Sequence, residues 1–235
     1  MSVDPAAVAE RLASVRDRID RAGGGRPVAV VAVTKGFGAD AVRAALALGL
    51  DAIGENYAQE LLAKAEALAE SVPSGLDQPA PGTAVARWHF LGRLQRNKVR
   101  HLARLVAVWE SVDRPELVDE LARRAPGTRV FVQANLSGEP QKGGASLDDV
   151  AALVARGRDA GLAVEGLMGV APAGPPEAAR PGFRRLVALA EELALPERSI
   201  GMSADLEVAV EEGATVVRVG RDLFGPRPPR VDDRG

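Results

Sequence analysis

Eight short apolar segments, each followed by a helical or loop segment, constrain the fold of this chain most. The first has the sequence VAVVAVT, and its lack of polar alternation is typical of a strand covered on both faces. Eight strand-then-helix units predict a single α/β domain, a closed (β/α)8 TIM barrel, with a doubly wound open sheet as the alternative. The predicted strands are Val28–Thr34, Ala52–Gly54, Trp88–Leu91, Val106–Glu110, Arg129–Asn135, Val164–Val170, Ser199–Met202 and Thr215–Val219.

Helical segments before and between these strands show the three- and four-residue apolar spacing of amphipathic helices. One spans Pro5 to about Ala22 and ends at three glycines, and another spans Leu147–Ala160. A third spans Asp40–Leu48, and we expect the Asp40 side chain to cap its start.

Three proline- and glycine-rich stretches interrupt the chain, at Val72–Gly82, Pro172–Gly182 and Gly225–Arg230. Such composition predicts surface loops, and none of these stretches separates two blocks of different composition. Residues 1–235 are therefore predicted to form one domain, with a flexible tail over 226–235.

The composition excludes several classes of function. Thirty basic residues nearly cancel 32 acidic ones, so we expect neither a nucleic-acid partner nor a membrane partner. The sequence contains no cysteine and only two histidines, and this composition excludes a Cys- or His-rich metal site. The start of the sequence does not resemble a signal peptide, and no apolar run reaches the roughly 18 residues that cross a bilayer. A cytoplasmic monomer is the expectation, since no apolar surface demands a partner.

Most of the distinctive polar residues follow the carboxyl ends of the predicted strands, where barrels of this type carry their chemistry. We expect them to form a ring at one mouth of the barrel. They are Lys35 after strand one, Glu55 and Asn56 after strand two, His89 and Gly92 at strand three, Asn135 and Ser137 after strand five, Met202 and Ser203 after strand seven, and Arg218 and Gly220 at strand eight.

Lys35 stands out because the chain uses arginine for almost every other positive charge. Only four of its 30 basic residues are lysines. An amine can form a Schiff base with a carbonyl compound, whereas a guanidinium cannot. Lys35 is therefore a candidate carbonyl-trapping residue, and a strand-end lysine that reaches to water is the alternative.

The loops after strands seven and eight predict a phosphate site. The segment Gly201–Asp205 leads into a helix and offers the Ser203 hydroxyl with free backbone N–H groups. Gly220 allows close backbone approach beside Arg218. Barrel enzymes bind phosphate at these two loops, although simple N-capping by Ser203 and a tight turn at Gly220 explain the same residues.

Two further candidates have plain structural explanations. Asn56 precedes a helical segment, so capping of that helix explains it when it is judged alone. His89 lies between Trp88 and Phe90 in an apolar strand, which is also typical of a hydrogen-bonded core histidine.

A series of ordered motifs runs through most of the chain. They are VAVTK at 31–35, GENYAQE at 54–60, WHFLGRLQRNK at 88–98, SGE at 137–139, KGG at 142–144, GLM at 166–168, SIGMSAD at 199–205, and RVG at 218–220 followed by FG at 224–225. Together they resemble the pyridoxal phosphate (PLP) homeostasis protein family, whose barrel is similar to the N-terminal domain of alanine racemase.

The resemblance implies that Lys35 holds PLP as an internal aldimine. It implies a phosphate site made by Ser203 and the amides around Gly220 and Arg221, with Arg218 facing the pyridine nitrogen. The residues implied to line the ring are Asn56, His89 and Met202. Many relatives carry Thr or Ser where this chain has Arg221, so Arg221 either pairs with the phosphate or turns outward to Asp222 or to solvent.

The resemblance also implies a non-catalytic PLP carrier that supplies PLP-dependent apo-enzymes. Racemases of this type need a second base, a tyrosine beside an additional β-rich domain, and the single tyrosine here is Tyr57. The alternatives are a single-domain PLP-dependent amino acid racemase or decarboxylase that uses His89 or Tyr57, and a barrel that binds phosphosugars. For the aldimine, Lys35 should be partly desolvated near a positive charge, with Arg218 as the nearest candidate.

Overall fold

A computed structural model describes residues 3–70, 85–139 and 143–227. Eight parallel strands form a closed barrel in sequence order, and β1 pairs with β8 through Ala29 opposite Val216 and Ala32 opposite Val219. The closed barrel is confirmed, and the open-sheet alternative is wrong. The strands are β1 Ala29–Val33, β2 Ala52–Glu55, β3 Arg87–Phe90, β4 Val106–Val112, β5 Arg129–Asn135, β6 Ala163–Val170, β7 Glu197–Ser199 and β8 Val216–Val219.

The helices are α1 Pro5–Gly23, α2 Ala39–Ala47, α3 Ala58–Ala69, α4 Arg96–Leu102, α5 Pro115–Arg124, α6 Leu147–Asp159, α7 Arg180–Glu192, α8 Leu206–Glu211 and α9 Arg221–Phe224. Helix α1 precedes the first strand, α2 to α8 connect successive strands around the barrel, and α9 follows the last strand. The predicted loop Val72–Gly82, residue Lys142 and the predicted tail from 228 onward lie outside the described residues. No helix in 3–70, 85–139 or 143–227 is long and apolar enough to cross a membrane.

Several predicted boundaries differ from the structure. Gly38, not Asp40, precedes α2, and the Asp40 carboxylate instead accepts a hydrogen bond from the Val3 backbone N–H at 2.6 Å. The predicted loop Pro172–Gly182 contains a 3₁₀ turn at Pro176–Ala179 and the start of α7. Strand β7 begins at Glu197, two residues before the prediction, because its charged start is half-buried and hydrogen-bonded to Thr215.

Side chains alternate between the barrel interior and the layer under the helices. In β8, Val216 packs inside with Val31 and Ala52, whereas Val217 and Val219 join the large core beneath the helices. This alternation turns Arg218 into the barrel interior. Because all eight strands are parallel, their carboxyl ends, which carry the polar residues, lie at one mouth of the barrel.

Candidate functional site

A cavity of about 340 Å³ opens at the carboxyl-end mouth of the barrel. Its volume lies in the range of small-ligand sites. Seven of the eight predicted site residues line it, namely Lys35, Asn56, Met202, Ser203, Arg218, Gly220 and Arg221. Its apolar walls come from Val33, Leu91, Met168, Val170 and Met202. The cavity therefore combines apolar surface with an amine, a hydroxyl and guanidinium groups.

The Lys35 amine is half-buried, and its pKa lies below the usual 10.5. Burial is the largest cause, followed by the positive charges of Arg227 and Arg218, while Glu55 and Glu60 oppose the shift. A lowered pKa increases the neutral fraction that can attack a carbonyl carbon. The sequence indicated Arg218 as the cation, and the larger charge effect comes from Arg227.

Arg227 is a site residue that sequence reasoning missed. It lines the cavity, and its side chain covers the loop after β1, since a Cβ built at Gly36 would lie 3.1 Å from Arg227 Cδ. The only sequence signal was its place shortly after β8, in a stretch that was predicted to be a loop and tail.

A buried ion pair lies behind Lys35. Lys64 Nζ on α3 donates to Glu55 Oε1 at 2.5 Å and to the Thr34 carbonyl oxygen at 2.8 Å. Thr34 Oγ1 also donates to Glu55 Oε1, at 2.5 Å. Burial raises the pKa of Glu55, and the Lys64 charge and the hydrogen bonds oppose it. The rarity of lysine in the sequence was the one signal that pointed to Lys64.

His89 is the one predicted site residue that is absent from the described residues that line the cavity. Its buried ring lies on β3 beside β4, with Nδ1 2.6 Å from Glu110 Oε1. The Nδ1–H group donates, because a carboxylate oxygen accepts. The structure thus agrees with the alternative of a hydrogen-bonded core histidine.

Glu110 connects His89 to Arg218 across the barrel interior. Ser199 Oγ donates to Glu110 Oε2 at 2.6 Å, and Arg218 Nη1 donates to the same hydroxyl at 2.7 Å. Arg218 Nη2 donates to the Gly169 carbonyl oxygen at 2.8 Å. Complete burial alone would raise the pKa of Glu110, but His89, Arg218 and Ser199 outweigh it and hold the pKa below its usual range.

This interior network fixes the direction of Arg218. Both terminal nitrogens of its guanidinium are engaged by the protein, and burial lowers its pKa while Glu110 and Asp205 oppose the shift. The sequence did not single out Glu110, and Ser199 appeared only within a motif, because their partners lie on distant strands. Arg218 is therefore a rigid cation in the cavity wall.

Ser203 lies at one corner of the cavity, between β7 and α8. The Asp222 backbone N–H donates to Ser203 Oγ at 3.3 Å, and the hydroxyl proton has no acceptor among the described residues. Arg18 on α1 donates to the Asp222 carboxylate at 2.6 Å and to the Ser203 carbonyl oxygen at 3.1 Å. This pairing neutralises Asp222. Arg221 lines the cavity and is exposed, so its guanidinium is accessible to an anion.

Contacts with the backbone explain the residue types at Gly220 and Asp205. A Cβ at Gly220 would lie 3.0 Å from the Val33 carbonyl oxygen, which explains the glycine there. The Asp205 carboxylate turns back to accept from the Met202 backbone N–H at 2.6 Å. Asp205 precedes α8 but makes no side-chain capping bond to it, whereas Ser203 Oγ accepts from the N–H of Asp222 in the first turn of α9.

Asn56 carries a buried polar atom that lacks a partner. Its Oδ1 has no hydrogen-bond partner among the described residues, and its side chain lines the cavity. Gly92 supports this placement, because a Cβ there would lie 1.9 Å from the Asn56 carbonyl oxygen. An unpaired buried acceptor costs about 1–3 kcal/mol, so a ligand that satisfied Asn56 would recover that energy.

Comparisons with known proteins identify the family of this chain. Residues 3–228 match the family model of the alanine racemase N-terminal domain. A pyridoxal phosphate homeostasis protein from Aquifex aeolicus is 40% identical over 93% of this chain and 97% of its own length. A protein of the same description from Pseudomonas aeruginosa is 39% identical over 94% of this chain and 96% of its own length.

A solved structure extends the comparison to three dimensions. PipY of Synechococcus elongatus, with PLP bound, has a TM-score of 0.75 and 31% identity, and the match covers 93% of this chain and 100% of PipY. The chain therefore belongs to the pyridoxal phosphate homeostasis proteins, within the family of alanine racemase N-terminal domains.

Proposed function

We propose that the chain binds pyridoxal 5'-phosphate in the mouth cavity through Lys35 and acts as a non-catalytic carrier in PLP homeostasis. The observation that carries the proposal is a half-buried amine of lowered pKa in the same cavity as a serine hydroxyl and several guanidinium groups. When bound, PLP supplies an aldehyde that condenses with amines and a ring that can withdraw electrons. The bound form described for PipY, a relative of 31% identity, supports the same ligand here.

The residues fit each part of this ligand. Ser203, Arg221 and Arg227 offer donors and positive charge for a phosphate group. Asn56 offers an unpaired acceptor. The apolar walls suit a flat ring.

Three features support a carrier over a racemase or decarboxylase. A guanidinium at the position of Arg218 disfavours protonation of a facing ring nitrogen, which weakens the electron withdrawal that amino-acid chemistry needs. The two candidate second bases are poorly placed. His89 is bonded to Glu110 behind the cavity wall, and Tyr57 is 47% exposed and absent from the described lining.

The recipients that we infer are PLP-dependent apo-enzymes of the cytoplasm. The cavity is accessible from the barrel mouth, because Arg221 and Arg227 are exposed among the described residues. This access supports transfer of PLP to another protein. The names of the curated relatives, which refer to homeostasis, agree with this assignment.

A visible absorption spectrum tests the ligand and its attachment. Purified wild-type protein with added PLP should show a yellow band that survives dialysis, and Lys35→Ala should show none. Lys98→Ala, which removes a lysine outside the described cavity lining, is the matched control and should behave as wild type. A wild-type protein that remains colourless with PLP would contradict the proposal.

Catalysis is tested separately with the loaded protein. The carrier assignment predicts that L- and D-amino acids do not exchange their α-protons in deuterated water. Sustained exchange that Lys35→Ala abolishes would favour the racemase or decarboxylase instead.

A further inference from the structure

Helix α3 holds the peptide groups on both sides of Lys35. Before Lys35, the Thr34 carbonyl oxygen accepts from Lys64 Nζ at 2.8 Å. After Lys35, the Gly36 backbone N–H donates to Glu60 Oε2 at 2.7 Å. Lys64 and Glu60 lie four residues apart and are themselves 3.5 Å apart, so they face the loop from adjacent turns of α3.

The same loop is restrained at further points. The Thr34 N–H donates to the Gly54 carbonyl oxygen at 3.0 Å, and Thr34 Oγ1 donates to Glu55. Gly36 has φ of +79°, a left-handed conformation that favours glycine. Thr34 is fully buried and Lys64 is 5% exposed, so water is excluded from the bond before Lys35, whereas the bond between Gly36 and Glu60 lies at the surface. The backbone that carries Lys35 is therefore fixed at residues 34 and 36.

We propose that Glu60 and Lys64 are positioning residues that clamp the Lys35 backbone so that its amine meets an aldehyde in a productive geometry. The inference rests on the proposed function. In the covalent step, the Lys35 nitrogen forms a double bond to the aldehyde carbon, and its two protons leave with the carbonyl oxygen as water. Correct placement of the reacting atoms lowers the barrier to such a step.

The negative charge of Glu60 and its hydrogen bond to Gly36 should have opposite effects on the rate at which Lys35 captures PLP. Its negative charge raises the pKa of Lys35, so removal of that charge alone leaves more neutral amine and faster capture. Loss of the clamp slows capture. The sign of the change in rate therefore separates the two roles.

Glu60 is the better residue to change. Lys64→Met would leave buried Glu55 without its cation, which is strongly destabilising and could prevent folding. The Glu60 side chain is 31% exposed, so its removal leaves the buried pair intact. Glu60→Gln keeps an oxygen that can accept from Gly36, whereas Glu60→Ala does not.

The test measures capture and binding separately. Stopped-flow absorbance gives the limiting rate of band formation with saturating PLP, and titration with pyridoxine 5'-phosphate, which lacks the aldehyde, gives the dissociation constant Kd. Glu60→Ala should lower the capture rate about tenfold, equal to about 1.4 kcal/mol, and change that Kd less than about twofold. Glu60→Gln should restore at least the wild-type rate. Glu66→Ala, an exposed position on the same helix, is the control and should match wild type.

Three results would overturn the clamp. Capture by Glu60→Ala at or above the wild-type rate would show that only the charge of Glu60 matters. An equal loss of pyridoxine 5'-phosphate binding would indicate general damage to the cavity. If the wild type forms no band, both the clamp and the proposed function fail, whereas a normal wild-type band with unaltered Glu60→Ala rejects the clamp alone.

Discussion

Two fully buried carboxylates, Glu55 and Glu110, lie in the same barrel but in opposite electrostatic conditions. Both oxygens of Glu110 accept hydrogen bonds, from His89 and Ser199, and the charge of Arg218 acts on it as well. Glu55 uses only Oε1, and its Oε2 has no hydrogen-bond partner among the described residues. The pKa of Glu110 is accordingly lowered and that of Glu55 raised.

Depth of burial alone therefore does not set the charge of a carboxylate. The number of satisfied oxygens and the charges nearby decide it. Glu110 and Glu55 also have different structural roles. Glu110 holds the network that fixes Arg218, whereas Glu55 lies with Lys64 behind the loop that carries Lys35.

The largest expected effect is on stability. Glu110→Gln removes the negative charge that faces buried Arg218 and should lower the free energy of unfolding by about 3–5 kcal/mol. Glu55→Gln should cost less, about 1–2 kcal/mol, because Glu60 still lies near Lys64 and one oxygen of Glu55 was already unpaired. Urea denaturation at pH 7 measures both, with the exposed Glu66→Gln as control. An equal or larger loss for Glu55→Gln would contradict the difference between the two carboxylates.

The pH dependence of these losses should have opposite signs. Because the folded pKa of Glu110 lies below 4.5, its stabilisation is complete above that pH and is lost as the pH falls through the folded pKa. The cost of Glu110→Gln should therefore shrink below pH 4.5. The folded pKa of Glu55 lies above 4.5, so wild type loses stability as the pH rises through it, and the cost of Glu55→Gln should shrink with rising pH. Urea titrations across this range should show the two slopes, and slopes of the same sign would contradict the assignment.

A smaller effect is expected at Lys35, whose pKa depends on charges from the Glu55 region and from the Arg218 region. Glu55 raises the pKa of Lys35, while Arg227 and Arg218 lower it. Arg227→Gln should therefore raise that pKa and slow PLP capture at neutral pH by about twofold, since an exposed charge is screened. Added salt should remove the difference. Arg16→Gln serves as the control, because Arg16 is an exposed residue of α1 that lines a different cavity. Faster capture by Arg227→Gln would contradict the predicted effect of its charge.

The sequence was sufficient for the barrel, and the reason is local. Unbroken apolar segments such as VAVVAVT can be recognised without knowledge of their neighbours, and seven of the strands begin within one residue of their predicted starts. Strand β7 was misplaced because Glu197 and Arg198 are polar and find partners only in the folded chain. Local pattern does not contain that information.

The candidate site was only partly predictable, for the same physical reason. Lys35 was recognisable because lysine is rare in this chain and follows an apolar strand. Glu110 meets Ser199 across 89 positions of sequence, and Arg227 returns to cover Gly36 from beyond the last strand. Contacts of this kind follow from barrel closure, which no short motif encodes.

The most direct test of the central claim locates the cofactor on the chain. Wild-type protein loaded with one equivalent of PLP is reduced with borohydride, digested and analysed by mass spectrometry. Lys35 should carry the label and Lys64 should not, because Lys64 Nζ is buried and bonded to Glu55 and Thr34. A label found mainly on any of the other three lysines would contradict the assignment of Lys35.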